Sequence, residues 1–341
     1  MLWFVGLGIS GSGSMPVDAA RIISCADMVY LEQFTSPINS QEVTRIQKMS
    51  KGQFKMAKRW LVEDGREILE SAKKQDTVLL SYGDPYVATT HAELRTRAIG
   101  QGIHTHSIHA SSSLTSIIGE CGLHFYKIGR IATIMSDTKS LTTPYYVLYK
   151  NIIDGIHTIL PLEYSQDGGF FLDPKDALNG LIQTESGQRR NVLDSSTFAI
   201  VASRVGLFNQ EIKCGKVSSL LKTEFGSPPH TVIVPGRLHF TEADALRVLC
   251  VCMDEPRDNK AEKIPVQMIN KYAPMVRQAL EEVRPYCKDK HAIILENAEL
   301  YIRDAEKFLN DGQDEVAVLS IGYADGLVDA LRLASGLDPK M

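Results

Sequence analysis

The sequence lacks both a long apolar run and a marked excess of charge of one sign. None of its 341 residues lies in a stretch that approaches the roughly 20 apolar residues of a membrane-spanning helix. The opening segment MLWFVGLGIS has none of the basic residues with which a signal peptide begins. The formal net charge of -4 gives no overall attraction for nucleic acid or for an anionic membrane. We therefore expect a cytosolic protein without membrane contact or evident direct binding of nucleic acid.

Cysteine is also scarce, and no two cysteines have C-x-x-C spacing. Cys250 and Cys252 form a C-x-C pair, but no histidine or further cysteine follows at the spacing of a zinc site. His104, His106 and His109 have the spacing of a strand, with no carboxylate or cysteine in the next several residues. We expect no metal site and reduced, packed thiols. The six cysteines are Cys25, Cys121, Cys214, Cys250, Cys252 and Cys287.

What the sequence does contain is typical of a globular protein. Hydrophobic residues make up 44% and charged residues 23% of the chain. A length of 341 residues is too great for one ordinary core and indicates two or three domains.

The stretch from Thr77 to Ala98 joins a buried strand to the start of a helix. Thr77–Ser81 is short, apolar and partly β-branched, so it predicts a strand that ends at Gly83-Asp84-Pro85. Thr90 precedes Glu93 by three residues, which is the spacing of a capping box. The pattern predicts a crevice at the end of this strand, where open α/β sheets bind ligands.

A second glycine-rich turn follows a short strand at Leu2–Val5. The run Gly6-Leu7-Gly8-Ile9-Ser10-Gly11 fits G-x-G-x-x-G, the dinucleotide fingerprint, which requires a helix that opens inside the glycines. Here Pro16 suits the first helical position, so the helix is predicted to begin late. Such a loop can wrap an adenosyl ligand with backbone groups but is poorly shaped for two phosphates. A glycine-rich turn without any ligand is the alternative.

Strands and helices alternate along the first 255 residues, which is typical of an α/β protein. After Gly129 we predict strands at Ile131–Met135, His157–Leu162, Phe198–Ser203 and Thr231–Val234, and helices at Tyr145–Ile153, Pro174–Gln183 and Thr241–Val251. The charged segment Asp254–Lys263 is predicted to be a linker. Beyond it, apolar residues recur at helical spacing in three segments, which predicts a small helical bundle. The predicted domains are residues 1–115, 116–255 and 260–341.

Several motifs of this sequence resemble those of diphthine synthases, a branch of the tetrapyrrole-methylase-like, class III methyltransferases. The resemblance rests on Gly6-Leu7-Gly8, Gly83-Asp84-Pro85 with Ala88–Arg95, Gly122-Leu123-His124 with Tyr126-Lys127, Pro228-Pro229-His230 and Val234–His239. It spans residues 1 to about 255. The remaining tail resembles a helical domain of unknown function found in archaeal proteins, so the chain resembles a fusion.

The resemblance implies a fold, a reaction and a set of ligand contacts. It implies two α/β domains with S-adenosylmethionine in the cleft between them, usually in a homodimer. The substrate would be elongation factor 2, methylated on the amine of a 3-amino-3-carboxypropyl-histidine to give diphthine, with S-adenosylhomocysteine as the other product. Tyr86 and Ser111 depart from the family's usual leucine and proline. The implied cofactor contacts are Ile9, Asp84, Val87, Ser112, Ser113, Leu162, Val205 and His230.

No catalytic residue is named by the resemblance or by the residues themselves. Methyl transfer from a sulfonium needs alignment and exclusion of water rather than a metal or a covalent nucleophile. Asp84 is the candidate base, but at a strand end a structural role is equally compatible with its position. Three alternatives stay open: a tetrapyrrole or corrin methylase on the same architecture, a nicotinamide-dependent oxidoreductase, and a non-catalytic docking protein built around the helical tail.

Overall fold

The computed structural model describes residues 1–34, 39–165, 169–287 and 291–338. The polar segment Thr35–Ser40, for which the sequence predicts a surface loop, lies mostly outside the described residues. The chain forms two compact units, Met1–Lys260 and Ala261–Met341. Our finer division of the first unit near residue 115 stays a prediction.

A five-stranded parallel sheet forms the first half of the larger unit, in the order β3-β2-β4-β1-β5. Its central strands are apolar and buried because helices cover both faces, which is the arrangement expected for parallel strands. The strands are β1 (Leu2–Gly6), β2 (Met28–Glu32), β3 (Gln53–Ala57), β4 (Thr77–Ser81) and β5 (Thr105–Ile108). The helices are α1 (Val17–Cys25), α2 (Ser40–Met49), α3 (Arg59–Asp64), α4 (Arg66–Lys74), α5 (His91–Gly100) and α6 (Ser113–Cys121).

The second half contains a five-stranded sheet in the order β12-β10-β9-β11-β6. In it β9 pairs antiparallel with β10 and β11, β11 pairs antiparallel with β6, and β10 pairs parallel with β12. The short strands β7 and β8, which follow β6 in the chain, pair antiparallel with each other. The strands are β6 (Thr158–Pro161), β7 (Tyr164–Ser165), β8 (Phe170–Phe171), β9 (Phe198–Ser203), β10 (Glu211–Lys216), β11 (His230–Val234) and β12 (Val251–Cys252). The helices are α7 (Thr142–Ile153), α8 (Pro174–Gln188), α9 (Val217–Leu220) and α10 (Phe240–Leu249).

Two sequence predictions for this half are wrong. The segment Ile131–Met135 is not a strand, because its pairing with the sheet is reduced to a single bridge between Ile134 and Leu162. The segment Asp254–Lys263 is not a linker over its whole length, because its residues up to Lys260 belong to the larger unit. Asn259 is buried, and its side chain accepts a hydrogen bond from the amide of Phe198 at 2.9 Å and donates to the Phe198 carbonyl at 2.7 Å. An uncharged amide can satisfy both backbone groups of a strand end, so a polar residue seals the core here.

The smaller unit is the predicted three-helix bundle. It consists of α11 (Ile264–Val283), α12 (Ala292–Asn310) and α13 (Asp314–Ala334), and each helix packs on the other two. The recurring apolar positions form its core, which includes Ile269, Val276, Leu280, Ile302, Ile321 and Val328. None of the helices in the described ranges is both long and apolar enough to cross a membrane.

Candidate active site

Two glycine turns meet at the carboxyl ends of β1 and β4. The amide of Gly83 donates to the Gly8 carbonyl at 2.9 Å, and the amide of Gly8 donates to the Gly83 carbonyl at 3.2 Å. Both residues have positive φ, and a Cβ on Gly6 would lie 2.6 Å from the Gly83 carbonyl oxygen. The turns can approach this closely only because glycine occupies these positions. Their neighbours Ile9 and Asp84 are thereby placed on one cavity.

The loop after the first glycine turn does not offer a phosphate site. A 3-10 turn at Gly11–Gly13 follows, and α1 begins late, as predicted, but at Val17 rather than at Pro16, which takes the N-cap position. The Glu42 carboxylate accepts hydrogen bonds from the amide and the hydroxyl of Ser12, both at 2.8 Å. Burial acts to raise the pKa of Glu42, but these bonds and Arg45 outweigh it and lower the pKa. The Glu42 carboxylate therefore already accepts the hydrogen bond of a loop amide that a dinucleotide phosphate would need. This argues against a nicotinamide cofactor.

Asp84 fixes the second turn to the end of β5. One of its oxygens accepts from the amide of Tyr86 at 2.9 Å, and the other accepts from His109 Nδ1 at 2.8 Å and from the amide of Ala110 at 3.3 Å. The carboxylate is 8% exposed. Three donors on two oxygens give Asp84 a clear structural role at the site.

The loop between Asp84 and α5 is held through one carbonyl group. The Pro85 carbonyl accepts from the Thr89 hydroxyl at 2.6 Å and from His91 Nδ1 at 2.9 Å. Burial lowers the pKa of His91 to about 4, so the ring is neutral at neutral pH. The predicted capping box is wrong, because Thr90 occupies the N-cap position without a capping hydrogen bond from its side chain. Thr89 and His91 hold the turn instead.

The second half supplies the opposite wall of the cavity. Ser112 caps α6 by accepting from the amide of Leu114, and it also lines the cavity. His230 Nδ1 lies 2.9 Å from the Ser203 hydroxyl, and burial together with the nearby Arg204 charge lowers the pKa of His230. The buried Arg204 guanidinium donates to the carbonyl groups of Asn209, Phe225 and Ser227. These bonds fix the backbone at the end of β9, from which Val205 reaches the cavity.

These elements enclose a cavity of about 470 Å3 between the two sheets of the larger unit. Its volume lies within the roughly 300–1,000 Å3 of ligand pockets. The lysine and arginine side chains that line it in the described residues are Lys58 and Arg59. The eight residues implied as cofactor contacts all line it: Ile9, Asp84, Val87, Ser112, Ser113, Leu162, Val205 and His230.

Comparison with known proteins identifies the family. Residues 1–220 match the family model described as tetrapyrrole (corrin/porphyrin) methylases. The diphthine synthase of Methanocaldococcus jannaschii is 31% identical over 255 residues, which cover 73% of this chain and 99% of that protein. The diphthine synthase of Methanothermobacter thermautotrophicus is 33% identical over 248 residues, 72% of this chain and 94% of that protein. The chain belongs to the diphthine synthase family.

A solved structure agrees with this assignment. The fold is similar to a crystal structure of diphthine synthase with a TM-score of 0.66 and 30% identity, over 74% of this chain and 96% of that one. The predicted resemblance and the tetrapyrrole-methylase-like fold are thus confirmed, and the chain is a methyltransferase. Residues 271–337 match a separate family described as a protein of unknown function. The helical unit therefore lies beyond the part of the chain that matches these diphthine synthases.

The two departures from the diphthine synthase pattern lie beside the cavity. Tyr86 points its hydroxyl at the Ser107 hydroxyl, 2.7 Å away, and packs on Phe4. Ser111 lies close to Gly8, where a Cβ would be 3.1 Å from its hydroxyl oxygen. Neither Tyr86 nor Ser111 is among the described residues that line the cavity. Each can affect the cavity only through the residues it supports.

Sequence reasoning missed several residues of this diphthine synthase site. Tyr82 lines the cavity, and its hydroxyl donates to the Ile9 carbonyl; burial raises the pKa of Tyr82 to about 12. Tyr82 directly precedes the Gly83-Asp84-Pro85 motif, and this position is the signal that could have identified it. Glu163 and Phe34 also line the cavity but belong to segments without a motif, and only the tertiary fold brings them there.

Proposed function

We propose that this diphthine synthase homologue uses S-adenosylmethionine to methylate the amine of the 3-amino-3-carboxypropyl-histidine of elongation factor 2, giving diphthine and S-adenosylhomocysteine. We further propose that it acts as a homodimer in the cytoplasm. One observation carries the proposal: the eight residues implied as cofactor contacts, which come from separate motifs, line a single cavity.

The residues of the cavity suit a ligand that carries a positive sulfonium. Ile9, Val87, Leu162 and Val205 supply apolar surface, and Asp84 supplies negative charge. His230 is buried and its pKa is lowered, so at neutral pH it presents a neutral ring and adds no cation to those of Lys58 and Arg59. The mixture of apolar walls and a few fixed polar groups is typical of small-molecule and cofactor sites.

When bound, S-adenosylmethionine supplies an electrophilic methyl group with a good leaving group. The chain's own contribution is then to position the acceptor amine in line with that methyl group and to exclude water. The paired turns at Gly8 and Gly83 and the three hydrogen bonds to Asp84 make the cavity wall rigid before any ligand arrives. No residue is assigned as a base for the amine proton.

The main rival is methylation of a tetrapyrrole or corrin, because the family model covers such enzymes. The identity to diphthine synthases extends over 94–99% of those proteins, which supports a protein substrate. A non-catalytic docking role is the other alternative. The proposed function and its two alternatives predict different results in one assay.

The test incubates the full chain with S-adenosylmethionine and elongation factor 2 that carries the unmethylated side chain. Mass spectrometry of the histidine peptide should show the gain of one or more methyl groups. Asp84→Asn should weaken S-adenosylmethionine binding by about tenfold or more, because its amide nitrogen cannot accept the bonds that the carboxylate accepts. Asp137→Asn is the matched control, since this exposed aspartate caps a turn outside the cavity.

Each outcome decides between the proposals. Bound cofactor without any mass gain of the histidine peptide would contradict methyl transfer to this protein and favour the docking role. Methylation of a porphyrin or corrin with no change in elongation factor 2 would establish the rival enzyme. Sedimentation of the same sample gives the oligomeric state, and a monomer at micromolar concentration would contradict the homodimer.

A further inference from the structure

Four of the six cysteines converge in the core of the second half. Cys121 ends α6, Cys214 lies in β10, Cys250 follows α10 and Cys252 lies in β12. Cys121 and Cys214 are fully buried, and the other two are half-buried. None of these residues lies in the cavity or has a part in the reaction proposed above. The sequence spacing gave no sign of the cluster, because three distant segments contribute to it.

Within the cluster, Cys214 and Cys252 are direct partners on neighbouring strands. They face each other in the register of the parallel pair β10–β12, and their Sγ atoms lie 2.8 Å apart. Neighbouring strands are about 4.8 Å apart. That spacing falls within the Cα separation of about 4.4–6.8 Å found for disulfides. The backbone therefore already has a separation at which the two side chains can be joined.

The same geometry argues against a metal site. Two thiolates on one tetrahedral zinc ion, each at about 2.3 Å from the metal, would hold their sulfur atoms about 3.8 Å apart. The observed 2.8 Å is too short for that arrangement. In the part of the chain that the structure describes, no group of three or more metal-binding side chains has a geometry that could hold a metal.

We propose that Cys214 and Cys252 are a site of reversible disulfide formation, with a low-molecular-weight disulfide as the oxidant. The thiolate of the half-buried Cys252 attacks the oxidant, breaks its S–S bond and releases one small thiol. The sulfur of Cys214 then displaces the second small thiol and forms the Cys214–Cys252 bond. Two protons and two electrons pass from the protein thiols to the oxidant, which ends as two thiols.

The bond would fasten the outermost strand of the second sheet. β12 has two residues, and its ladder pairing in the described structure is with β10. The segment that follows it reaches Asn259, whose side chain seals the end of β9. A crosslink between Cys214 and Cys252 closes the intervening chain, including β11 and α10, and restricts it in the unfolded state. The thermal midpoint should therefore rise by several degrees on oxidation.

The experiment treats the full chain with oxidised glutathione, alkylates the remaining thiols and maps the peptides by mass spectrometry. We expect a peptide that links Cys214 to Cys252, loss of two of the six alkylatable thiols, a higher thermal midpoint, and reversal by dithiothreitol. Cys252→Ser should abolish both the crosslink and the rise in midpoint. Cys25→Ser is the matched control, because this exposed cysteine lies in α1, away from the cluster, and should leave both unchanged.

A second variant separates the loss of the crosslink from a general effect of removing a thiol from the cluster. Cys121→Ser removes a buried thiol of the same cluster but should keep the Cys214–Cys252 crosslink. A linked peptide between any other two cysteines would overturn the proposal. So would alkylation of all six thiols after oxidation, or stoichiometric zinc in the purified chain by elemental analysis.

Discussion

Ile9 fills the space beside Gly206 on the other side of the cavity. A Cβ on Gly206 would lie 2.5 Å from the Cδ1 of Ile9, and the Ser10 hydroxyl donates to the Gly206 carbonyl at 2.5 Å. Ile9 follows the first glycine turn, whereas Gly206 follows β9 of the second sheet. The two halves of the methyltransferase therefore meet at a position where only a hydrogen fits.

Gly206→Ala should damage the cavity by displacing Ile9. The added methyl group overlaps the Ile9 side chain, and φ of +86° disfavours alanine by about 1 kcal/mol. We expect the Kd for S-adenosylmethionine to rise about tenfold, measured by calorimetry. Gly312→Ala is the control, because Gly312 has φ of +74° and no atom within 4 Å of its Cβ position, and it lies in the helical unit. Equal effects of both variants would contradict the role given to the Ile9 contact.

Glu242 is the centre of a buried ionic network in the second half. It accepts from Lys127 Nζ at 2.6 Å and from His157 Nε2 at 2.9 Å, and it is fully buried. Burial alone would raise the pKa of Glu242, but hydrogen bonds from the His239 amide and from Lys127 lower it to about 2. His157 stays neutral, because burial lowers its pKa and its Nδ1 accepts from the Gly236 amide.

This network should make the enzyme acid-labile. Because the folded pKa of Glu242 lies below its ordinary value, its contribution to the free energy of unfolding is complete above pH of about 4.5 and is lost as the pH falls towards 2. Glu242→Gln should cost about 3 kcal/mol at pH 7, and the difference from the parent should shrink below pH 4.5, measured by urea unfolding. Glu70→Gln, at an exposed pair with Lys73, should change little. A difference that does not vary with pH would contradict the assignment.

Most of the first sheet could be predicted from its sequence, and the errors across the two sheets have different causes. β1 and β4 are apolar runs that end at glycine turns, and both lie where the pattern placed them. β3 and β10 are not among the predicted strands, although polar and apolar residues alternate in them as in a strand with one covered face. Ile131–Met135 has strand composition, yet it does not form a ladder, since pairing depends on neighbours that a single segment does not reveal.

The site divides in the same way. Residues inside a motif, such as Asp84 and His230, could be named from the resemblance and lie on the cavity. Glu42 could not, because its effect on the glycine loop arises from α2, which is brought to Ser12 only by the fold. The cysteine cluster is a further case, since Cys121, Cys214 and Cys252 are far apart in the chain. The spacing of residues along the sequence indicates local geometry, but it does not indicate contacts between distant segments of the chain.

The larger unit should be active without the helical one. The diphthine synthase relatives match this chain over 94–99% of their own length without the tail, and the compact unit ends at Lys260. A chain that ends at Lys260 should therefore retain the binding of S-adenosylmethionine and the methylation of elongation factor 2 that we propose for the full chain. A chain that ends at Glu255 lacks Asn259 and should lose several degrees in thermal midpoint, because backbone groups at Phe198 and Pro235 lose their partners. Equal stability of the two truncations would contradict the sealing role of Asn259.

We expect Phe208 to contact the protein substrate of the proposed reaction beside the cavity. Its side chain is fully exposed, its neighbour Leu207 lines the cavity, and the buried Arg204 fixes the turn that carries both. An exposed aromatic ring on a backbone that hydrogen bonds hold in place is an effective anchor for a protein partner, because the backbone need not be ordered on binding. Phe208→Ala should raise the KM for elongation factor 2 about tenfold, with kcat and the Kd for S-adenosylmethionine unchanged. Phe208→Trp should preserve the KM.

The control for this prediction is Tyr126→Ala, which removes an equally exposed aromatic ring. Unlike Phe208, which follows Leu207, Tyr126 has no chain neighbour in the described lining of the cavity. It should leave the KM unchanged, so that a general effect of lost aromatic surface is separated from an effect at the cavity mouth. Size-exclusion chromatography of both variants completes the comparison. If Phe208→Ala changed the oligomeric state, the ring would belong to a contact between subunits; if it left the KM unchanged, the protein substrate would approach the cavity from another side.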